Sequence, residues 1–576
     1  MGYNIDMYIR TVSRKNKDGS VVRYIQLAHN VWDPKAGYPK AKVLYNFGRE
    51  EEVDREALVR LVKSITRFLG PEEALCTQAE LNGGTPLKFI SSRPMGGVWV
   101  LNELWNRLGI NRVLAGLLAK RKFQAPVERA IFAMVANRAL NPASKLKTED
   151  WVSHDVFIPG LAEVPVQNLY RAMDFLLEAA EELQKDIFFS VAHLFNLEVD
   201  LLYFDTTSTY FEVEEEDNPE DNKQHLRRKG NFKDHRPDLP QAVIGLAVTR
   251  GGLPVRCWVW PGNTADMAVI EQVKKDLVGW QLGRVITVVD RGFASEDNLR
   301  YLQRAGGHYI AGEKMRGGKD TVAEALARPG RYKTVRDNLE VKEVIVGDGE
   351  KRVRYILVRN PKEAEKDRLE REEILARLKE ELRAIGDLKG EPHTKACCQL
   401  IAHPTYGRYL KTDKKGQPYV DMAKVKAEEK LDGKYLLRTS DDTLSAEDVA
   451  LGYKQLLEVE DAFRTMKQSL ELRPIYHRLS DRIHAHVLLC WLGLLLIRVA
   501  ETKVQDSWRN IRQTLERMHL GEFVGPEGRV LQRTETTPPQ QHIFKALGIK
   551  EPPQIIAVEI KGQKQSLVTR AQKADP

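Results

Sequence analysis

Cysteine is scarce in this chain: Cys76, Cys257, Cys397, Cys398 and Cys490 are scattered through 576 residues without a CxxC pair. That excludes a disulfide framework and a zinc module built on paired cysteines. Long apolar runs are missing too. The longest, residues 487–497, is too short to span a bilayer. The first residues lack the basic stretch and apolar segment of a secretory signal, so a soluble, cytoplasmic protein with no membrane partner is expected. No repeat, low-complexity tract or long linker is present. Charge of one sign hardly predominates: 89 Lys+Arg against 81 Asp+Glu leave a net +8, too mild to mark a nucleic-acid binder. What is plentiful is apolar residue, at 42%, which excludes global disorder. The length suggests roughly three to five structural units.

Residues 1–50 alternate apolar and polar positions, as in Val21-Val-Arg-Tyr-Ile-Gln-Leu after a Lys-Asp-Gly turn, and predict a small antiparallel sheet. A helix over 52–69 follows and ends at Gly70-Pro71. Residues 95–195 are helical in pattern; the helix over 126–139 starts at Pro126 and carries Ile131, Met134, Val135 and Ala139 on one stripe. Between 106 and 148 there are nine Lys/Arg, among them Lys120, Arg121 and Lys122, against one acid, Glu128. That local excess suits phosphate neutralisation, and equally a solvated helical face.

A different pattern begins near residue 199. A buried strand ends on Asp205, two strands over 241–250 and 253–260 are separated by Gly251-Gly252, and a helix covers 265–280. The strand 285–290 ends on Asp290 and is followed by Arg291-Gly292; a helix over 295–305 and a strand around Tyr309 complete the run. The result is a mixed sheet with helices packed on it, an α/β fold. Residues 313–440 interrupt the pattern with a highly charged helix over 361–386. A strand from Lys434, a long helix from Ser445 through about Leu470 and an apolar helix over 480–499 resume it.

Two strand-terminal carboxylates without His or Cys partners suit a hard cation such as Mg²⁺, although such Asp residues also cap turns. On the long helix, Val459, Phe463, Met466 and Leu470 form a core-facing stripe. Glu460 and Lys467 are seven apart on the face beside it, and Tyr453 lies seven before Glu460 on the same line. Glu458 points to the opposite side, so Glu460 is the best third ligand. Trp258 and Trp260 face one side of a strand as core, and His484 and His486 point to different helix faces. The acids within 212–221 and the basic stretch 223–236 form a loop between strands; its basic half suits DNA, its acids a solvated surface.

These elements resemble the DDE transposases of bacterial insertion sequences, which have a ribonuclease H-like catalytic core. The matching segments are Phe204-Asp205-Thr-Thr-Ser, Val289-Asp290-Arg-Gly-Phe and Tyr453-x2-Leu456-x3-Glu460-x6-Lys467, the last at the spacing of the Y-R-E-K signature. Lys233-Asp-His-Arg-Pro-Asp-Leu-Pro-Gln and Pro261-Gly-Asn-Thr-Ala-Asp look similar as well. Leu456 departs from the pattern, standing where many relatives have Arg; Arg464, four residues after Glu460, is either a substitute or an intrahelical ion-pair partner. The resemblance implies that Asp205, Asp290 and Glu460 hold two Mg²⁺ ions, with Mn²⁺ as substitute, at a scissile phosphate. Tyr453, Lys467, Arg291 and Arg464 would contact DNA, with Lys120, Arg121 and Lys122 in the helical region. It further implies cleavage at terminal inverted repeats, strand transfer into target DNA, a homodimer on DNA, and a place on the bacterial nucleoid.

The organisation expected is a small sheet with a helix (1–90), a basic helical DNA-binding region (91–195), a ribonuclease H-like core in two parts (196–312 and 441–500), an insertion domain (313–440) and a C-terminal unit (501–576). Two other functions stay open at this point: another ribonuclease H-like nuclease, and a domesticated DNA-binding protein without catalysis.

Overall fold

The computed structural model describes residues 7–69, 87–119, 121, 126–195, 200–218, 225–230, 236–280, 285–316, 319–525 and 528–560. The chain forms two compact units, one of Met1–Ser91, Glu522–Leu531 and Ala557–Pro576, the other of Ser92–Gly521 and Gln532–Ile556.

In the first unit, strands β1 (Met7–Lys15), β2 (Val21–Asp33) and β3 (Tyr38–Arg49) make an antiparallel meander. A helix, Arg55–Leu69, follows. Asp54 caps it, its carboxylate accepting from the backbone N–H of Glu56 and Ala57 at 2.9 and 3.0 Å. Next along the chain is β4 (Lys88–Pro94).

The helical stretch of the second unit centres on Val127–Leu140. One apolar stripe was expected there, but every residue from Ala130 to Ala139 is buried. The reason is its place between Val166–Glu178 and Ser480–Val504, which cover it from two sides. Ser480–Val504 runs longer than the 480–499 expected. By length and composition it is long and apolar enough to cross a membrane, but 89% of its apolar window is buried within the protein, as in a core helix.

The central sheet has nine strands. Its first five are β5 (Leu201–Tyr210), β6 (Gln241–Thr249), β7 (Pro254–Pro261), β8 (Ile286–Val289) and β9 (His308–Glu313), in spatial order β7-β6-β5-β8-β9. β5, β6 and β7 are antiparallel neighbours, whereas β5–β8 and β8–β9 are parallel. With helices on its face, this mixed sheet is the ribonuclease H-like arrangement. Phe204, Trp258, Trp260 and Phe293 pack in one cluster on it, and the two Trp rings stack at 6.2 Å, so both are core.

Beyond β9 the sheet continues. β10 (Lys333–Arg336), β11 (Leu339–Val346) and β12 (Val353–Arg359) extend it, and β15 (Lys434–Thr439) joins β12 to β9 in antiparallel register. Much of 313–440 therefore enlarges the core sheet. The portion with a core of its own comprises Pro361–Gly386, Glu391–Ala402, β13 (Leu410–Thr412), β14 (Pro418–Val420) and Met422–Glu429. After Ser480–Val504 come the helix Trp508–Glu516, strands β16 (His519–Gly525) and β17 (Gly528–Arg533), a helix Pro538–Leu547 and β18 (Ile555–Ile560). A four-stranded sheet runs in the order β18-β17-β16-β4.

Candidate active site

Asp205 and Asp290 stand side by side because of strand register. Phe204 of β5 pairs with Val289 of β8 in parallel, and each aspartate is the next residue along its strand. Parallel neighbours in register turn equivalent side chains to the same face. Leu201–Phe204 and Ile286–Val289 are buried; β8 ends just before Asp290, but β5 runs on through buried Thr206–Thr209 to Tyr210, so Asp205 lies within its strand and not at its end as expected.

The expected long helix over 445–470 is three pieces: Ala446–Lys454, Leu457–Arg464 and a wide turn, Thr465–Ser469. At the break, Leu456 N–H donates to the Tyr453 carbonyl (3.0 Å) and Glu458 N–H to that of Gln455 (2.9 Å), a tightened three-residue pattern. Tyr203 fixes the break by donating its hydroxyl to Gln455 Oε1 at 2.9 Å. Leu456 itself is buried there, so this position belongs to the core. Val459, Phe463, Met466 and Leu470 are buried as the stripe required, which leaves Glu460 exposed beside them. Glu458 lies on the other side, its carboxylate close to the Gly251-Gly252 turn.

Asp205, Asp290 and Glu460 line one cleft of about 420 Å³, with Lys467 and Arg464 on its wall. Two further lining residues carried no role in the sequence reading. Asp266 sits within the Pro261-Gly-Asn-Thr-Ala-Asp segment, whose family-like pattern was its only signal. Arg473 lies in the loop after the wide turn and had none. Its guanidinium lies 5.6 Å from the Tyr210 ring, which Arg236 also approaches at 5.3 Å.

Tyr453, placed by the resemblance on DNA, donates its hydroxyl to Asp290 Oδ1 at 2.9 Å. Burial, then the Asp290 charge, pushes its phenol far above the usual range, so it remains a donor. Gly312 of β9 provides the room: a Cβ there would collide with the Tyr453 hydroxyl. Arg291 is exposed in the turn after Asp290, and Arg464 pairs with Asp461 at 2.8 Å while facing the cleft.

The basic helical region spends much of its charge internally. Arg129 pairs with Glu128 (2.6 Å), Arg107 donates to the Leu547 carbonyl (2.6 Å), and buried Arg138 donates to the Glu471 carbonyl (3.2 Å). Lys145 is buried as well, and Arg121 pairs with Glu178; Lys120 and Lys122 lie outside the described residues. His486 is buried against the Leu472 carbonyl (3.2 Å), while His484 bonds the Ser480 carbonyl (2.9 Å). In the loop after β5, Asp217 is buried and held by Arg227 Nε at 2.6 Å, so this acid is internal.

The cleft's acids are oxygen donors from separate elements gathered by the fold, and that donor set fits a hard divalent cation. As they stand, among the described residues, no three Asp, Glu, His or Cys side chains are close enough to enclose an ion.

The family model of the transposase DDE domain matches residues 242–496, and that of the IS1634 family transposase N-terminal domain matches residues 9–76. The chain belongs to the insertion-sequence DDE transposases. As a DDE transposase it is a metal-dependent enzyme that acts on DNA, using divalent ions. Asp290 and Glu460 fall within the matched DDE stretch; Asp205 precedes it and joins them through strand register. Among solved structures, the transposase is similar to piggyBac transposase in a synaptic complex with hairpin DNA, at 11% identity and a TM-score of 0.34 over 72% of this chain and 76% of that one. No curated protein matches it.

Proposed function

We propose that Asp205, Asp290 and Glu460 are the catalytic acids of this transposase and hold two Mg²⁺ ions, or Mn²⁺ in their place. The observation that carries this reading is their meeting in one cleft, from two adjacent parallel strands and a helix that comes after the insertion. When bound, such ions activate a water or 3′-hydroxyl nucleophile and stabilise the leaving oxygen. The chain's own residues do the rest. Tyr453 holds the Asp290 carboxylate in one orientation through its hydroxyl. Lys467, Arg464 and Arg473 line the cleft and attract phosphates on either side of the cut. Arg291, exposed beside Asp290, reaches the same strand of DNA.

The reaction is cleavage at the terminal repeats of an insertion sequence followed by transfer of the ends into target DNA. Two ends must be joined, so the working form is a homodimer on DNA, on the bacterial nucleoid. Arg121, with Lys120 and Lys122, contributes to DNA binding in the helical region, although its ion pair with Glu178 must open first.

The test is excision in vitro. A plasmid carrying the coding region with its native flanks is incubated with purified protein and Mg²⁺, beside Asp290→Asn and Glu460→Gln. Breaks at two inverted repeats, absent in both variants, are expected. Cleavage that ignores the ends and persists in both variants would sink this assignment.

A further inference from the structure

The helix that carries Glu460 does not end as a regular helix would. Past Arg464 it opens into the wide turn Thr465–Ser469, where Leu470 N–H donates to the Thr465 carbonyl, five residues back, at 3.1 Å. Thr465 favours the widening: its hydroxyl donates to the Asp461 carbonyl at 3.0 Å, a side-chain bond of the kind that bends helices. Met466 and Leu470, both fully buried, pin the turn to the core.

The wide turn changes which side chains share the face of Glu460. In a regular helix Lys467 falls in line with Glu460, and Gln468 lies about 80° away from it. The extra residue in the turn swings Gln468 back toward that line, and Gln468 lines the cleft together with Glu460, Arg464 and Lys467. Its side chain is exposed, so packing does not hold it there. Wide turns of this kind are frequent at functional sites.

Chemistry separates Gln468 from its neighbours. The cleft's acids are Asp205, Asp266, Asp290 and Glu460, and its cations are Arg464, Lys467 and Arg473. A neutral amide adds to neither set: it does not balance a metal ion, and it does not draw in a phosphate by charge. What it presents is a donor and an acceptor side by side, the pattern that matches the edge of adenine at N7 and N6. We propose that Gln468 reads a base beside the scissile phosphate and is a specificity-determining residue of this transposase. The proposal rests on the reading of the cleft as the catalytic site.

The test is cleavage of duplexes carrying a native end by the full-length protein with Mg²⁺. Each base pair flanking the cut is replaced in turn by the alternatives, and kcat/KM is compared within each variant, so that any loss of folded protein cancels. The wild type is expected to prefer one base pair at one flanking position by about 10-fold. Gln468→Ala is expected to flatten that preference to within about twofold while keeping the preferences at other positions, and Gln468→Arg to move it toward guanine. A uniform fall across all substrates in Gln468→Ala, with every preference kept, would assign Gln468 to a phosphate and overturn the proposal. Wild-type kcat/KM on every substrate in Gln468→Ala would overturn it too. Cleavage that persists in Asp290→Asn and Glu460→Gln would instead overturn the reading of the cleft.

Discussion

Tyr453 and Asp290 are 163 positions apart and joined by a 2.9 Å hydrogen bond from phenol to carboxylate. The bond ties the helix before Glu460 to the end of β8, so two of the proposed catalytic acids share one brace. A hydrogen bond to a charged group contributes about 1.5–3 kcal/mol. Tyr453→Phe should therefore slow DNA cleavage by about 10-fold or more while leaving duplex affinity within about twofold. Single-turnover cleavage beside a filter-binding titration checks this. A fall in affinity with unchanged single-turnover rate would return Tyr453 to the DNA-contacting role implied by the resemblance.

Gly312→Ala should reproduce that loss from the opposite side. The added methyl would collide with the Tyr453 hydroxyl and lie 3.2 Å from the Arg291 backbone N. Overpacking of this kind costs about 1–3 kcal/mol. Thermal melts should show the loss of stability. Activity of Gly312→Ala/Tyr453→Phe should be well above the product of the two single effects, because both act on one bond.

Lys145 gives the protein a pH-dependent stability. Burial, with Arg138 adding to it, pulls its ammonium down to about 7 from an ordinary 10.5. The unfolded chain keeps that proton up to its ordinary range, whereas the folded chain releases it near pH 7. Between these values the unfolded state binds more protons, so stability should rise with pH by up to about 1.4 kcal/mol per unit. Below pH 7 both states hold the proton and the full penalty remains. Lys145→Met should thus stabilise most at pH 6 and least near pH 10; denaturant midpoints at pH 6, 7.5 and 9 decide the matter.

Arg138 secures the loop that carries Arg473. Its buried guanidinium donates to the carbonyls of Ala143 and Glu471, and Glu471 has a φ of 44°, in the left-handed region. Arg138→Lys cannot serve both carbonyls in the same planar geometry and should cost about 2–4 kcal/mol. Chemical denaturation would read this, and a change under about 0.5 kcal/mol would refute the clamp.

Much of the fold was legible because it is written in local patterns. The antiparallel strands near the N-terminus, the buried strand ending at Asp290, and the stripe Val459–Phe463–Met466–Leu470 follow from period and burial; the strand expected to end on Asp205 continues to Tyr210 because β6 pairs with it along 206–210. The rest depends on partners distant in sequence. The helix break at Gln455 needs the Tyr203 hydroxyl, and the all-round burial of Val127–Leu140 needs Ser480–Val504. Part of the basic excess over 106–148 is internal for the same reason: Arg129 and Arg138 look like surface charge until Glu128 and the Glu471 carbonyl stand opposite them. Asp266 was visible as part of a family-like segment, but only the fold brings it to the cleft.

The extension of the sheet beyond β9 makes the insertion hard to dispense with. β9 carries the Gly312 seat for Tyr453, and its outer edge is paired along 310–313 by β15. Splicing 313 directly to 440 would strip that edge and leave its backbone groups open to any passing strand. The shortened enzyme would then be a sticky one, with the floor beneath Tyr453 exposed. Shorter loops can be grafted within Pro361–Gly386 and Met422–Glu429, where the chain leaves the sheet and returns; the strands on either side are masonry for the site.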